Sequence, residues 1–200
     1  MRYLIILTIA FVTFHINSYS KEITEKLNAD ETENNLLHHN KFQLETDPLA
    51  WAIGGGSIHG AYNLGQHRFQ IGLAFLALPE GLQDNKEVSE EFKSISLKYD
   101  YFLNNITDNG WFVGSTIDLL EWSYEDEFNE IIETESLNIG IRIGYKYVPF
   151  DKNSSFNGLY LTPWIGLSNM FNNDDLEFKS GTYERNPIKV FPTVHIGWEF

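Results

Sequence analysis

The sequence contains no cysteine among its 200 residues. This absence excludes a disulfide-stapled scaffold, a cysteine-ligated zinc site and a thiol enzyme. Basic residues are also scarce, because 14 Lys and Arg stand against 28 Asp and Glu and give a net charge of −14. Nucleic acid is therefore not an expected partner, since phosphate binding requires clustered Lys and Arg. A mean hydropathy of −0.27 leaves no room for a bundle of membrane helices.

An apolar run is present only at the N-terminus. Residues 1–20 begin with one cation, Arg2, continue through an apolar stretch at 4–14, and end in the short polar run 17–20. This layout predicts a cleaved signal peptide, because the run is too short to anchor the chain in a membrane. A buried N-terminal helix is the alternative. We expect export from the cytoplasm.

The polar stretch that follows has no sustained apolar face, so residues 21–46 are predicted to be a flexible periplasmic segment, with a contribution to the first strand left open. His38 and His39 are candidate ligands for a metal ion. A histidine pair without carboxylate or cysteine partners at ligand spacing is more often solvated, so neither a metal nor a cofactor is predicted.

From residue 47 onward the apolar residues recur with a period of two. The clearest stretch is 137–147, in which six apolar or aromatic residues alternate with polar residues or glycine. Similar alternation occupies 69–75, 95–103, 111–119 and 159–167. This pattern indicates β-strands with two different faces. A soluble β-sandwich would alternate as well, but its strands are usually about 5–6 residues long.

Long strands, and a polar face that carries small residues and both charge signs, favour a barrel in a membrane over a sandwich. We therefore predict an all-β fold for residues 47–200: an antiparallel up-and-down transmembrane β-barrel. The strands counted back from the C-terminus number seven, with the earliest at 49–64. Because such barrels have an even number of strands, we expect eight, with the missing strand N-terminal within 36–46. A hairpin split at Gly54-Gly55-Gly56 and an extra strand at 176–184 are the alternatives.

The C-terminal strand strengthens this interpretation. Val194, Ile196, Trp198 and the terminal Phe200 share one face, opposite Thr193, His195, Gly197 and Glu199. Here the chain resembles small bacterial outer-membrane β-barrel proteins of the OmpA-like type, whose last strand ends in an aromatic residue. The resemblance implies that the barrel-assembly machinery recognises Val194, Ile196, Trp198 and Phe200. It also implies a monomer surrounded by outer-membrane lipids and lipopolysaccharide.

Loop lengths and aromatic residues predict which end faces which compartment. Short connections at 63–67, 104–109 and 149–157 alternate with longer ones at 79–91, 124–132 and 172–187. Outer-membrane barrels keep short turns in the periplasm. An interfacial girdle of aromatic residues is predicted beside the short turns: Tyr62, Phe69, Tyr99, Tyr101, Trp111, Tyr145, Tyr147, Tyr160, Trp198 and Phe200.

The residues predicted to face the lumen include both charge signs: His59, Lys98, Asp100, Asp118, Arg142, Lys146, His195 and Glu199. Opposite charges removed from bulk water must pair, so a structural salt-bridge plug is the main interpretation and a narrow ion passage is the alternative. A lipid A-modifying enzyme would need a triad such as Ser57, His59 and Asp118 or Glu121. The order of Ser57 and His59 is the reverse of that in known deacylases of this kind, and no catalytic residue is predicted.

The long loops are acidic. They are expected to keep the surface soluble, with loose divalent-cation capture beside lipopolysaccharide as the alternative. The sequence therefore predicts a non-enzymatic outer-membrane barrel with a structural or surface-interaction role. A secreted soluble β-sandwich is the alternative to the whole scheme.

Overall fold

The computed structural model describes residues 42–79, 83, 88–104, 106, 108–150 and 158–200. The predicted signal peptide, the predicted flexible segment up to residue 41 and the histidine pair lie outside the described residues, as does most of the loop at 79–91. Within the described ranges no helix is long and apolar enough to cross a membrane.

Eight antiparallel strands close into one barrel. They are β1 (Phe42–Thr46), β2 (Gly56–Leu64), β3 (His67–Ala77), β4 (Val88–Phe102), β5 (Gly110–Asp126), β6 (Ile131–Lys146), β7 (Leu159–Phe171) and β10 (Ile188–Glu199). A helix, α1 (Pro48–Ala52), follows β1, and β8 (Leu176–Phe178) pairs with β9 (Gly181–Tyr183) in a separate hairpin. Neighbouring strands pair in sequence order, and β1 pairs with β10 to close the ring. The predicted all-β class and eight-stranded antiparallel barrel are confirmed.

The missing strand is N-terminal, as expected, and the barrel begins at Phe42 rather than at residue 47. The strand predicted over 49–64 is wrong in its first half, because α1 occupies residues 48–52. Asp47 caps this helix: its Oδ1 accepts hydrogen bonds from Leu49 N at 2.8 Å and Ala50 N at 3.2 Å. Together with Pro48 at the first helical position, this cap favours a helix more strongly than the alternating pattern favours a strand. The chain then turns at Gly54, whose φ is +87°.

The long connection predicted at 124–132 is also wrong, because β5 and β6 extend through most of it. They are joined by a tight turn in which Asn129 has a φ of +59°. Asp126 Oδ1 stabilises this turn by accepting hydrogen bonds from Phe128 N at 2.9 Å and Glu130 N at 2.8 Å. Most acidic residues of this region therefore lie on paired strands, and Glu127 and Glu130 lie in the tight turn.

The two faces of the wall have inverted polarity. The alternating apolar residues point outward and are exposed, as for Ile71 (57%), Leu97 (55%) and Ile141 (66%). The polar residues between them point into the lumen and are buried, as for Gln70 (3%) and Arg142 (3%). A water-soluble barrel or sandwich would show the opposite arrangement.

Outward-facing aromatic residues form a cluster at the end with the short turns, while others, such as Phe75 and Phe171, lie toward the opposite end. Rings on neighbouring strands contact one another in this cluster, with centroid distances of 5.1 Å for Phe42–Tyr62, 5.4 Å for Phe69–Tyr99 and 5.2 Å for Trp111–Tyr145. Tyr160 does not belong to this girdle, because it is only 1% exposed and faces the lumen. Its position in the alternation of β7 places it with Thr162, which is also buried.

Close packing inside the wall predicts unequal effects at two glycines. A Cβ on Gly114, on the lumen side of β5, would collide with Asp100 Oδ1 and with the backbone oxygen of Tyr99, whereas a Cβ on Gly60 meets nothing within 4 Å. We expect Gly114→Ala to lower the free energy of unfolding by about 1–3 kcal/mol because the site is overpacked. Gly60→Ala should change it by less than about 0.5 kcal/mol. Urea unfolding in detergent micelles measures both, and equal effects would contradict the packing described here.

Candidate functional site

The lumen holds the polar side chains and is filled in layers. At the short-turn end, the buried rings of Phe102 and Phe112 lie 5.2 Å apart and pack with Ile106. Lys146 spans this layer, because its Nζ donates to the Ile106 carbonyl oxygen at 2.8 Å and to Glu199 Oε2 at 2.7 Å. All three apolar side chains are fully buried, so this layer closes the lumen at the short-turn end.

Glu45, on the short closing strand β1, is the centre of the next layer. Its Oε1 accepts hydrogen bonds from Arg68 Nη1 at 2.7 Å and from the Tyr160 hydroxyl at 2.8 Å. Its Oε2 accepts from Gln70 Nε2 at 2.6 Å and His195 Nδ1 at 2.9 Å. Because Glu45 is only 1% exposed, these four donors replace the water that an ionised carboxylate requires.

Asp100 is the second buried carboxylate and joins two guanidinium groups. Arg68 Nε donates to its Oδ2 at 2.8 Å, while Arg142 donates from Nε to Oδ1 at 2.7 Å and from Nη2 to Oδ2 at 2.6 Å. Both cations also lie over aromatic rings, since Arg68 is 5.1 Å and Arg142 5.5 Å from the centre of the Phe112 ring. Two carboxylates and two guanidiniums therefore form one continuous network across the lumen.

A third layer lies above this network, further from the short turns. The imidazole rings of His59 and His195 stack at 4.7 Å. Lys98 Nζ lies 5.2 Å from the centre of the Trp164 ring. Asp118 accepts a hydrogen bond from the Thr116 hydroxyl at 3.0 Å. These side chains line the lower part of a cavity in the upper half of the lumen.

The structure places all eight predicted lumen residues on the inner side of the wall, where they belong to three layers. Asp100, Arg142 and His195 take part in the hydrogen-bonded network, and Lys146 and Glu199 form an ion pair in the layer nearest the short turns. His59, Lys98 and Asp118 line the cavity.

Sequence reasoning missed four members of the network: Glu45, Arg68, Gln70 and Tyr160. The alternation at 69–75 places Gln70 on the polar face of its strand, and the same alternation extended by two residues reaches Arg68. Glu45 alternates with Leu44, but in a segment whose pattern is too short to recognise as a strand.

The residues of the alternative enzymatic hypothesis contact different partners and not one another. Ser57 Oγ accepts a hydrogen bond from the Asp47 amide at 2.9 Å, while the His59 ring packs on His195. Glu121 lies on the outer side of β5 and is exposed. Within the described residues no hydrogen bond joins Ser57 to His59.

The far end of the lumen is covered by the β8–β9 hairpin. Leu176, Phe178 and Tyr183 pack on the inward-facing Trp122 and Tyr124 of β5. The Tyr183 hydroxyl donates to Glu90 Oε1 at 2.9 Å, and Arg185 Nε donates to the Tyr124 hydroxyl at 3.1 Å. The hairpin is therefore a packed cover and not a free loop.

Asp126 connects this cover to the β5–β6 turn, because its Oδ2 accepts a hydrogen bond from Ser180 Oγ at 2.8 Å. Burial raises the pKa of Asp126, but hydrogen bonds from the Glu130 amide, the Ser180 hydroxyl and the Phe128 amide outweigh burial and hold it below its ordinary value. The carboxylate therefore stays ionised and keeps accepting these bonds at neutral pH.

The four residues of the predicted assembly signal share the outer side of the C-terminal strand. Ile196 is 38% and Phe200 70% exposed, and Val194 and Trp198 are half-buried. The Phe200 amide donates to the Phe42 carbonyl oxygen at 2.9 Å, so the last residue is held against β1. In the part of the chain that the structure describes, no group of three or more His, Asp or Glu residues is placed to hold a metal ion.

Comparison with known proteins gives the following result. No protein-family profile matches the sequence, and no curated protein matches it. Among solved structures, the chain is similar to a major outer membrane protein from Thermus thermophilus. The match has 15% identity and a TM-score of 0.49, and it covers 82% of this chain and 100% of the other. Values of this size assign neither a family nor a function.

The network predicts a large effect at Asp100. Asp100→Asn removes the charge that faces two buried guanidiniums, so we expect the free energy of unfolding to fall by about 3–5 kcal/mol. Lys179→Met is the matched control, because the Lys179–Glu130 pair spans 3.5 Å and the lysine side chain is 84% exposed. Such a surface pair contributes less than about 1 kcal/mol. Urea unfolding followed by tryptophan fluorescence measures both, and a small effect at Asp100 would argue against an ionised network.

Proposed function

We propose that the chain is a bacterial outer-membrane β-barrel with a structural or surface-interaction role and no catalytic activity. The observation that carries the proposal is the inverted polarity of the wall. Ionic residues such as Arg68 and Asp100 are fully buried in the lumen, and the exposed outer side carries Ile, Leu and Phe. Only an apolar solvent makes that arrangement favourable, because the same surface in water would leave a large apolar area exposed.

The height of the apolar surface supports a membrane span. Along β4 and the residue that follows it, the outward residues are apolar or aromatic from Ile95 to Leu103, and on β5 they are so from Trp111 to Leu119 with Ser115 as the exception. Nine residues at about 3.3 Å each, tilted by about 40°, span roughly 23 Å. This height is close to the apolar band of about 25 Å in outer-membrane barrels.

A charged boundary limits the band on the side away from the short turns. Lys93, Glu121 and Glu135 are outward-facing and exposed, and they lie side by side in register on β4, β5 and β6. Beyond them, the outward residues Glu125 and Glu133 continue the acidic surface. These strands rise above the membrane in the proposed orientation, so the barrel presents acidic hairpins to the exterior.

The contacts of the remaining predicted groups fit this role. The girdle of aromatic rings lies at the short-turn end, which we assign to the periplasmic interface. We propose that Val194, Ile196, Trp198 and Phe200, on the outer side of β10, are read by the barrel-assembly machinery. Outer-membrane lipids and lipopolysaccharide would then surround a monomer. Ser57, bonded to the Asp47 amide, serves the packing of the wall and not a reaction.

A pair of substitutions tests the membrane assignment. Ile141 and Phe128 are both 66% exposed, but Ile141 lies in the middle of the apolar band and Phe128 in the β5–β6 turn. An arginine at the bilayer midplane costs about 2–4 kcal/mol and one in water costs little. We therefore expect Ile141→Arg to reduce the protein in the outer-membrane fraction of a Gram-negative host, while Phe128→Arg behaves as the wild type.

The wild-type chain should sediment with the outer membrane and migrate differently on a detergent gel before and after heating. Recovery in the soluble periplasm or the medium would overturn the membrane assignment. Equal behaviour of Ile141→Arg and Phe128→Arg would overturn it as well, because the two sites would then share one solvent.

The sealed lumen also predicts that the barrel does not conduct ions. Phe102, Phe112 and Arg68 are fully buried in the layers nearest the short turns. We expect the wild type to be silent in planar bilayers. Arg68→Ala combined with Phe112→Ala should produce small conductance steps, whereas Trp111→Ala, beside Phe112 but on the outer side of the wall, should stay silent. Steady conductance of the wild type would favour the alternative of a narrow ion channel.

A further inference from the structure

The upper half of the lumen contains a cavity of about 260 Å³. It lies between the ionic network and the β8–β9 cover, and none of the interactions proposed above uses it. Its lining has a polar end, formed by His59, Lys98, Asn138 and Trp164, and a mainly apolar end, formed by Leu76, Phe92, Leu120 and Trp122. Lys189 also lines the second end, where its Nζ lies 5.8 Å from the centre of the Trp122 ring. Such a lining fits a molecule with one polar and one apolar part.

The polar end has buried groups without partners. Lys98 is 8% exposed, and among the described residues its Nζ has no hydrogen bond or ion pair; Trp164 lies beneath it. His59 Nδ1, Asn138 Oδ1 and Trp164 Nε1 likewise have no hydrogen-bond partner there. His59 and Asn138 are only 3% and 6% exposed. Unpaired atoms also occur in the lower lumen, as at Arg68 Nη2, but that residue does not line the cavity. Buried polar groups are almost always paired, so those that line an open cavity point to a ligand.

The charge of the polar end selects the ligand class. Lys98 supplies a cation and Trp164 Nε1 a neutral donor, and both are suited to a carboxylate. The neighbouring cation Arg142 is already bonded to Asp100. Asp118 also lines the cavity, with the Thr116 hydroxyl bonded to it. The Asp118 carboxylate would repel any additional negative charge on the ligand. A ligand with one negative charge therefore fits the cavity better than a ligand with two.

The wall provides an opening to this cavity. β1 ends at Thr46, which pairs with Ile196, so the part of β10 from Ile188 to His195 pairs only with β7. Phe191 faces inward by register, opposite Gly166, and lines the cavity, yet it is 39% exposed. The cavity therefore reaches the outer surface beside α1, where β2 and β10 are not joined by a ladder.

We propose that this cavity binds a small amphipathic monocarboxylate, with the carboxylate at Lys98 and Trp164 and the apolar chain among Leu76, Leu120 and Trp122. A cavity of about 150 Å³ holds benzene, so about 260 Å³ accommodates roughly ten non-hydrogen atoms. Octanoate has this size. The ligand enters sideways through the opening beside α1, because the two ends of the lumen are packed.

Equilibrium dialysis of radiolabelled octanoate against the full chain in lipid nanodiscs tests the proposal, with empty nanodiscs as the blank. We expect saturable binding that exceeds the blank, and at least about tenfold weaker binding of octanol, which lacks the charge. Lys98→Met should weaken octanoate binding by about tenfold or more and leave octanol unaffected. Lys93→Met, which removes an exposed cation of the same strand, should change neither.

A second pair of variants tests where the apolar part of octanoate binds. Leu120→Trp fills the apolar end and should abolish binding, whereas Leu119→Trp, on the outer side of β5, should preserve it. Heat-dependent migration on a detergent gel reports whether each variant folds, and the comparison of octanoate with octanol on the wild type requires no variant. Octanoate binding equal to the blank, or equal affinity for octanol and octanoate, would overturn the proposal. Neither result would bear on whether the barrel resides in the outer membrane.

Discussion

Closure of the barrel depends on the buried carboxylate of Glu45. The closing strand β1 has only five residues, and it pairs through four positions with β10 and four with β2. A ladder of this length is a weak seam. Glu45 reinforces it from the inside, because its two oxygens accept hydrogen bonds from side chains on β3, β7 and β10. Since an ionised carboxylate at 1% exposure is unfavourable without such donors, the network and the closed wall require each other.

The same short strand explains why the upper lumen differs from the lower. Asp47 ends β1 by capping α1, and it also accepts a hydrogen bond from the Thr193 hydroxyl on β10. Above this point β10 has a neighbour on one side only, and Pro192, which has no amide hydrogen to donate, lies in that stretch. A local capping preference thus determines where the continuous wall stops. The cavity and its opening follow from that position.

The sequence predicted the wall better than the lumen. Alternation such as that at 95–103 reports which side each residue faces, because the pleat of a strand has a period of two. It carries no information on which side chains meet across the barrel. Glu45 and His195, 150 positions apart, are joined only by the closure of the ring. Tyr160 shows the same limit, because its aromatic character suggested the interface while its register placed it against Glu45. Helix α1 was missed because one cap and one proline overrode the pattern of their neighbours.

The unmatched polar groups around the cavity also bear on what has determined the residues of the upper lumen. In the lower half, the carboxylates of Glu45 and Asp100 are matched by donors at hydrogen-bonding distance, although one nitrogen each of Arg68 and Arg142 has no partner among the described residues. In the upper half, Lys98, His59 Nδ1 and Asn138 Oδ1 are buried without such partners among the described residues. A buried polar group without a partner costs about 1–3 kcal/mol. A barrel that served only as a scaffold would gain stability from apolar residues at these positions. Because sequences depart from local rules mainly at functional sites, the unmatched groups around the cavity favour the proposed binding role over a purely structural one.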